Sequence, residues 1–294
     1  MPSTLVTNKD RILRMPVEVK PSHPQHRRSV RASHDGGVYA LPSVGGITYN
    51  LRIGDPALGW AGDHIEPCVS TKNPDDGKNS GANFLSCVGN IAKVKIGDEV
   101  RKGFVTGTHG GIEHVMIDFP QDVLEELTYD DTIRIETVGQ GLEIEGVDDL
   151  KVMNLDPRML ELDAWPIGID GDALTVSVAK TLPARIMGAG LGADDCHSGD
   201  YDIQLFDPVT NEEFGLDHLR LGDIVAIIDA DHSYGRKFLT GAVSVGVVVH
   251  GACHTAGHGP GVATLFASTS GKIRPQVTDS ANLASILGAG VEPG

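Results

Sequence analysis

The chain has 294 residues, 40% of them apolar, with 37 glycines, only 5% aromatic residues and a net charge of −16. Negative charge spread along the length excludes binding to nucleic-acid phosphates or anionic membrane surfaces, and no apolar run reaches the roughly 18 residues of a spanning helix. Cys68, Cys87, Cys196 and Cys253 are widely spaced without a CxxC pair and are expected reduced; with no hydrophobic leader in MPSTLVTNKDRILR, a cytoplasmic protein is expected.

Glycine-rich, Val-rich text broken at short intervals predicts a mainly β protein with two similar β-rich halves and a few short helices. Residues 1–37 carry the basic stretch HPQHRRSVRASHDGG and lack periodicity. They read as a mobile end or an arm laid over a neighbouring subunit, with His23, His26 and His34 solvated, and a homo-oligomer is expected. Residues 38–150 form the first half and 151–294 the second, with the link around 148–165, where Asp156 caps a turn and Pro157 opens it.

In the first half the word DHIEP stands out. Read as extended, it puts His64 and Glu66 on one face, able to bind a divalent metal or pass protons, although an exposed edge with a weak His–Glu contact fits equally well. DDGKNSG then reads as a loop, residues 87–94, 104–106 and HVMIDF as strands, and DVLEEL as a helical turn or two. His109 and His114 flank a glycine turn.

The second half opens with GAGLG, which lacks the strand–loop–helix context of a dinucleotide fold and is rejected as one. In DDCHSGDYDIQ, Asp200 and Asp202 share a strand face, so they are either part of a solvated acidic turn or oxygen ligands for a cation. Asp229, Asp231 and His232 follow in a hairpin. Residues 239–268 are an apolar strand, a loop bearing His250, Cys253, His254 and His258 among glycines, and a second apolar strand. Such a loop is ordinary turn punctuation or a site whose imidazoles and thiol hold zinc or move protons. A weak internal repeat sets Gly107, His109 and Gly110 beside Gly241, His250 and Gly251. DSANLASIL reads as a short helix capped by Asp279 or Ser280.

The words GGITYN, GWAGDHIEP, SCVGN, TGTHGGIEHV, GQGL, IMGAGLG, GDYDIQ and GHGPGVATL, in this order over residues 38–275, resemble a family known as a domain of unknown function. The resemblance implies a cyclophilin-like β-barrel and little about activity. A fainter likeness is to acetamidase/formamidase enzymes, through His254-Thr255-Ala256-Gly257 and Gly110-Gly111. The acid expected after the second element is replaced by Pro260-Gly261, so no residue roles carry over.

These residues lead to the expectation of a metal-dependent hydrolase of a small C–N compound, a linear or cyclic amide or imide. His64, Glu66, His250 and His258 would hold a divalent ion, zinc by donor type, with Glu66, His109, Asp200 and Asp202 in proton transfer and Cys253, or Cys87, as a lesser nucleophile candidate. His64 and His250, 186 positions apart, should then meet in one pocket. A non-catalytic small-ligand binder and a metal-free isomerase or lyase working by His/Asp pairs are the competing readings.

Overall fold

The computed structural model describes residues 5–25, 30–290 and 293. Along the first half run β1 (Met15–Pro21), β2 (Arg31–Ala32), β3 (Val38–Tyr39), β4 (Val69–Lys72), α1 (Asp76–Leu85), β5 (Ile91–Ile96), β6 (Glu99–His109), β7 (His114–Asp118), α2 (Gln121–Glu126) and β8 (Ile133–Thr137). Six of these strands close an antiparallel barrel in the order β1-β4-β7-β6-β5-β8, which removes every open edge from that sheet.

β8 alternates, with Ile133, Ile135 and Thr137 buried and Arg134 and Glu136 exposed, as in a ladder wetted on one face. All of β7 is buried. Its Val115 and Ile117 fill the barrel with Val105 of β6, whereas Phe104 and Met116 point the other way, into a core shared with the second half.

The second half contains β9 (Leu150–Val152), β10 (Ile167–Asp170), β11 (Ala173–Val178), β12 (Lys180–Pro183), β13 (Tyr201–Asp202), α3 (Pro208–Phe214), β14 (Ile224–Asp231), β15 (Lys237–Val248), β16 (Gly261–Ser268) and β17 (Ile273–Val277). One sheet runs β10-β11-β17; the larger runs β12-β14-β15-β16-β13, with β9 added on β16. The mainly β, two-half architecture with a barrel therefore stands, and among the described residues no helix is long and apolar enough to cross a membrane.

The runs β5-β6-β7 and β14-β15-β16 are each antiparallel, and each has a register shift between its second and third strands, at Val105/Gly107 and Val245/Gly246. The second strand of each run leads into a glycine-flanked histidine. Gly107 brings the two together, because a Cβ there would lie 2.2 Å from Cγ1 of Val249. Only a glycine lets β6 approach the end of β15 this closely.

Four local expectations change. Part of the 1–37 segment is no loose arm: β1 pairs with β4 and β8 and closes the barrel of its own chain. His23 and His34 are exposed yet stack on Tyr129 and Phe206, and His26 lies outside the described residues. DDGKNSG belongs to α1, not to a loop. Glycine, serine and asparagine disfavour helix, but the Asp75 carboxylate accepts from the Lys78 N–H and the buried Asn79 and Asn83 donate to the Glu113 carbonyl. The C-terminal turn spans Ala284–Gly288 without a side-chain cap from Asp279 or Ser280; the Asn282 side chain accepts from the Ala284 N–H instead.

His232 is a core histidine, its ring bonded to the Thr264 hydroxyl at 2.8 Å. Burial, reinforced by Arg236 and opposed by Asp231, pushes its pKa down to about 3. As pH falls, the unfolded chain therefore takes up a proton that the folded chain refuses, so stability present above about pH 6.5 is lost toward pH 3. Between pH 6.5 and 4 this amounts to roughly 3 kcal/mol. Urea melts should show His232→Gln losing less stability over that interval than wild type; equal losses would exonerate His232.

Candidate metal centre

Three segments converge at one end of the barrel. β6 ends in His109, β13 carries Asp202 with Asp200 just before the strand, and β15 runs on into His250. The His109 and His250 rings stack with centroids 4.0 Å apart. The 63–66 loop adds His64, centred 5.3 Å from His250 and 5.9 Å from His109, and the loop before β16 adds His258, 5.2 Å from His64. Gly261 leaves room for this meeting, since a Cβ there would lie 1.7 Å from Asp200 Oδ2 and 2.3 Å from His250 Nε2.

Each central imidazole is anchored from behind. His109 Nδ1–H donates to Glu66 Oε1 at 2.6 Å, His250 Nδ1–H to the Gly251 carbonyl at 2.9 Å, and His64 Nδ1–H to Asp63 Oδ2 at 3.3 Å. Such bonds fix tautomer and ring orientation and leave Nε2 aimed at the centre, the arrangement that outer partners impose on metal-binding histidines. His250 Nε2 meets Asp200 Oδ2 at 2.7 Å and Asp202 Oδ1 at 3.7 Å. Asp200 is itself held by the Gly110 N–H at 2.7 Å. His258 Nδ1 stands 3.1 Å from Asp202 Oδ2 and 3.3 Å from His64 Nε2.

Two groups of three donors result, His109–Asp200–His250 and His64–Asp202–His258, with the donor atoms in each lying within 4.8 Å of one another. Asp63–His64–Cys253 has the same compactness. Its thiol is held protonated, because burial and the Asp63 carboxylate push Cys253 up to about 12, which disfavours nucleophilic attack. Burial, together with Asp156, also raises Cys87, and all four cysteines are free and buried.

Charge is organised around the same centre. Burial opposes ionisation of Glu66, yet hydrogen bonds from His109 and His114 hold its carboxyl well below the usual range. Asp200 and Asp202 are likewise lowered against burial, Asp200 mainly by the charge of His250 and Asp202 by hydrogen bonds from His250 and His258. His250 is buried, but Asp200 and Asp202 raise it well above 6.5. Both its ring nitrogens face acceptors, so it is an imidazolium whose Nε2 proton a cation would replace. His64 moves the other way, lowered by burial and by the neighbouring imidazoles, with Asp63 opposing.

A cleft of about 990 Å³ opens over the cluster, floored by His64, His109, Asp200, Asp202 and His258 and walled in part by Lys72, Asn79, Asn83 and Arg236. Arg236 is 4% exposed; its Nη2 donates to the Ser198 carbonyl, and its Nε has no partner among the described residues.

The expected convergence of His64 and His250 is thus present in the fold, but the extended conformation read from DHIEP is not. His64 has φ +54 in a loop rather than a strand, a conformation that a non-glycine residue holds only under constraint. Glu66, expected among the metal donors, belongs to none of the three groups. Its oxygens are taken by His109, His114, Ser70 and the Gly45 N–H, and it supports the site from behind. The acidic run divides: Asp200 and Asp202 enter the cluster, while Asp195 folds back on His197 and Ser198 in an exposed turn. Asp231 pairs with Lys237, and His254 faces Tyr39 rather than the centre. Unforeseen were the support roles of Asp63 and His114 and the buried Arg236. Adjacency to His64 was a signal for Asp63; nothing in SYGRKF marks Arg236.

Comparison with known proteins adds a relative and a family. No curated protein matches the chain. A structure titled "Crystal structure of TM1086" matches with a TM-score of 0.90 and 42% sequence identity, covering 96% of this chain and 99% of that one. The family described as "Domain of unknown function (DUF4438), N-terminal" matches residues 30–161, and its C-terminal counterpart matches residues 164–287. The histidine–aspartate centre draws His64 and His109 from the first matched stretch and Asp200, Asp202, His250 and His258 from the second, and with both stretches present in order the chain belongs to the DUF4438 family.

Proposed function

We propose that His109, Asp200 and His250 hold a divalent ion, zinc by the character of the donors, and that the protein is a metal-dependent hydrolase of a small polar C–N compound, a linear or cyclic amide or imide. The observation that carries this reading is the anchoring of both imidazoles through Nδ1, on Glu66 and on the Gly251 carbonyl, which turns both Nε2 atoms toward the Asp200 side. A bound divalent ion would supply a water with its pKa lowered to about 7 and polarise a carbonyl.

The chain's own groups meet the remaining needs of amide cleavage. Water loses a proton as it adds to the carbonyl carbon, and the leaving nitrogen must gain one before the C–N bond breaks. His64, kept neutral by burial and facing the cleft, is suited to take that proton and return it. Arg236, buried in the wall without a carboxylate partner among the described residues, gives the cleft a cation to orient an anionic group of the substrate.

Protein purified without chelator is expected to contain at least about one divalent ion per chain, and the chelated protein to lose hydrolysis of an amide and imide panel until metal is restored. The readouts are elemental analysis, release of ammonia or amine, and product mass increased by one water. Failure to bind any divalent ion would end the proposal. A product of unchanged mass would point to an isomerase or lyase, and metal binding without turnover of any ligand bound in the cleft to a binding protein.

A further inference from the structure

We propose that the centre is binuclear: a second divalent ion sits between His64, His258 and Asp202, and the Asp202 carboxylate bridges it to the ion on His109, Asp200 and His250. The inference rests on the metal-hydrolase reading above and adds a distinct set of donors. With this second ion bound His64 is a ligand rather than the proton carrier, and the attacking water loses its proton to solvent while the leaving nitrogen takes one from solvent. Its geometry is already close to that of a loaded site. Donor atoms about 2.0–2.2 Å from one tetrahedral ion lie roughly 3.3–3.6 Å from one another. The edges here are 3.3 Å from His64 Nε2 to His258 Nδ1, 3.1 Å from His258 Nδ1 to Asp202 Oδ2, and 4.0 Å from His64 Nε2 to Asp202 Oδ2.

The bridge follows from which oxygen faces which group. Asp202 Oδ2 belongs to the His64–His258 side, whereas Oδ1 faces His250 Nε2 at 3.7 Å. A carboxylate presented in this way is what a pair of ions about 3.5–4 Å apart requires. The backbone holds it there: Asp202 lies in β13, paired with Gly261, and the Gly259 N–H donates to Oδ2 at 3.2 Å. His64 is fixed by Asp63, which also pairs with Arg31 and accepts from the Tyr39 hydroxyl, so the second group has its own outer support. His258 is the accessible member, its side chain 38% exposed, which makes this ion the one nearer the cleft and the more exchangeable.

Titration of the chelated full-length protein with Mn²⁺ alone tests this, with bound metal counted by elemental analysis and the electron paramagnetic resonance spectrum recorded. About two ions per chain and an exchange-coupled Mn²⁺ pair signal are expected for wild type. His258→Ala, chosen because its half-exposed ring can be removed without opening the core, should bind about one ion with an uncoupled signal and melt like wild type. Asp202→Asn should lose the coupled signal. A wild-type count of one would overturn the second site and leave the hydrolase reading standing; a count of zero would overturn both. Two ions retained in His258→Ala, or a coupled signal retained in Asp202→Asn, would also overturn the assignment.

Discussion

His250→Ala and His64→Ala are each expected to lower kcat/KM for amide hydrolysis by roughly 10³-fold or more, and the double variant to be no worse than the poorer single. The two side chains come from opposite halves of the sequence, yet their rings are centred 5.3 Å apart and they share the Asp202 carboxylate. Groups that complete one centre fail together, so the second deletion finds nothing left to remove. Stability must be separated from chemistry in this test. His250→Ala leaves Asp200 and Asp202 buried beside an empty space, and breaking a buried pair from one side costs about 3–5 kcal/mol. Rates should therefore be read well below both melting temperatures. His64→Gly supplies a second control, because glycine is at ease at the φ of +54 found there. It should be at least as stable as His64→Ala and just as inactive. Activities of the two single variants within a few-fold of wild type would remove both residues from the chemistry.

The parts of this centre that were legible in the sequence are those where local geometry and residue type agree. Asp200 and Asp202 stand two apart around Tyr201, and although only Asp202 lies within β13, that spacing carries both carboxylates to His250. The apolar strands around the 250s loop were equally plain, because β16 is buried along its whole length and its text has no charge to dilute the signal. DHIEP gave a correct neighbourhood for a wrong reason. The segment is a loop with His64 in the left-handed region, and what turns that ring to the centre is Asp63, whose backbone N–H bonds to the Pro42 carbonyl and whose side chain accepts from Tyr39 and the His254 N–H. Contacts of that kind join positions tens or hundreds of residues apart and leave no periodicity. α1 was hidden for a related reason: its Asn79 and Asn83 are poor helix formers whose helical placement is secured by the Glu113 carbonyl on another element. Residue type alone marks Glu66 as a donor, because carboxylates bind metals. Only the fold reveals that His109 and His114 close on it from the barrel wall and leave its oxygens no free direction.

Gly261→Ala is expected to weaken divalent-ion binding about 100-fold or more, although it removes no donor atom. The added methyl would lie 1.7 Å from Asp200 Oδ2 and 2.3 Å from His250 Nε2, in the space where those two atoms meet. Neither can step aside cheaply. Asp200 is held through its other oxygen by the Gly110 N–H, and His250 through Nδ1 by the Gly251 carbonyl. β16 cannot retreat either, since Gly261 pairs with Asp202 and its carbonyl accepts from the Val249 N–H. The methyl must therefore displace the carboxylate or rotate the ring, and each movement carries a donor off its line to the ion. Overpacking of this kind also costs about 1–3 kcal/mol of stability. Gly81→Ala in α1, where a Cβ meets nothing within 4 Å, is the matched control and should bind metal like wild type with unchanged or slightly raised stability. Calorimetric titration of both variants with Zn²⁺ decides the matter: wild-type affinity in Gly261→Ala would mean that the ion does not sit where Asp200 and His250 face each other.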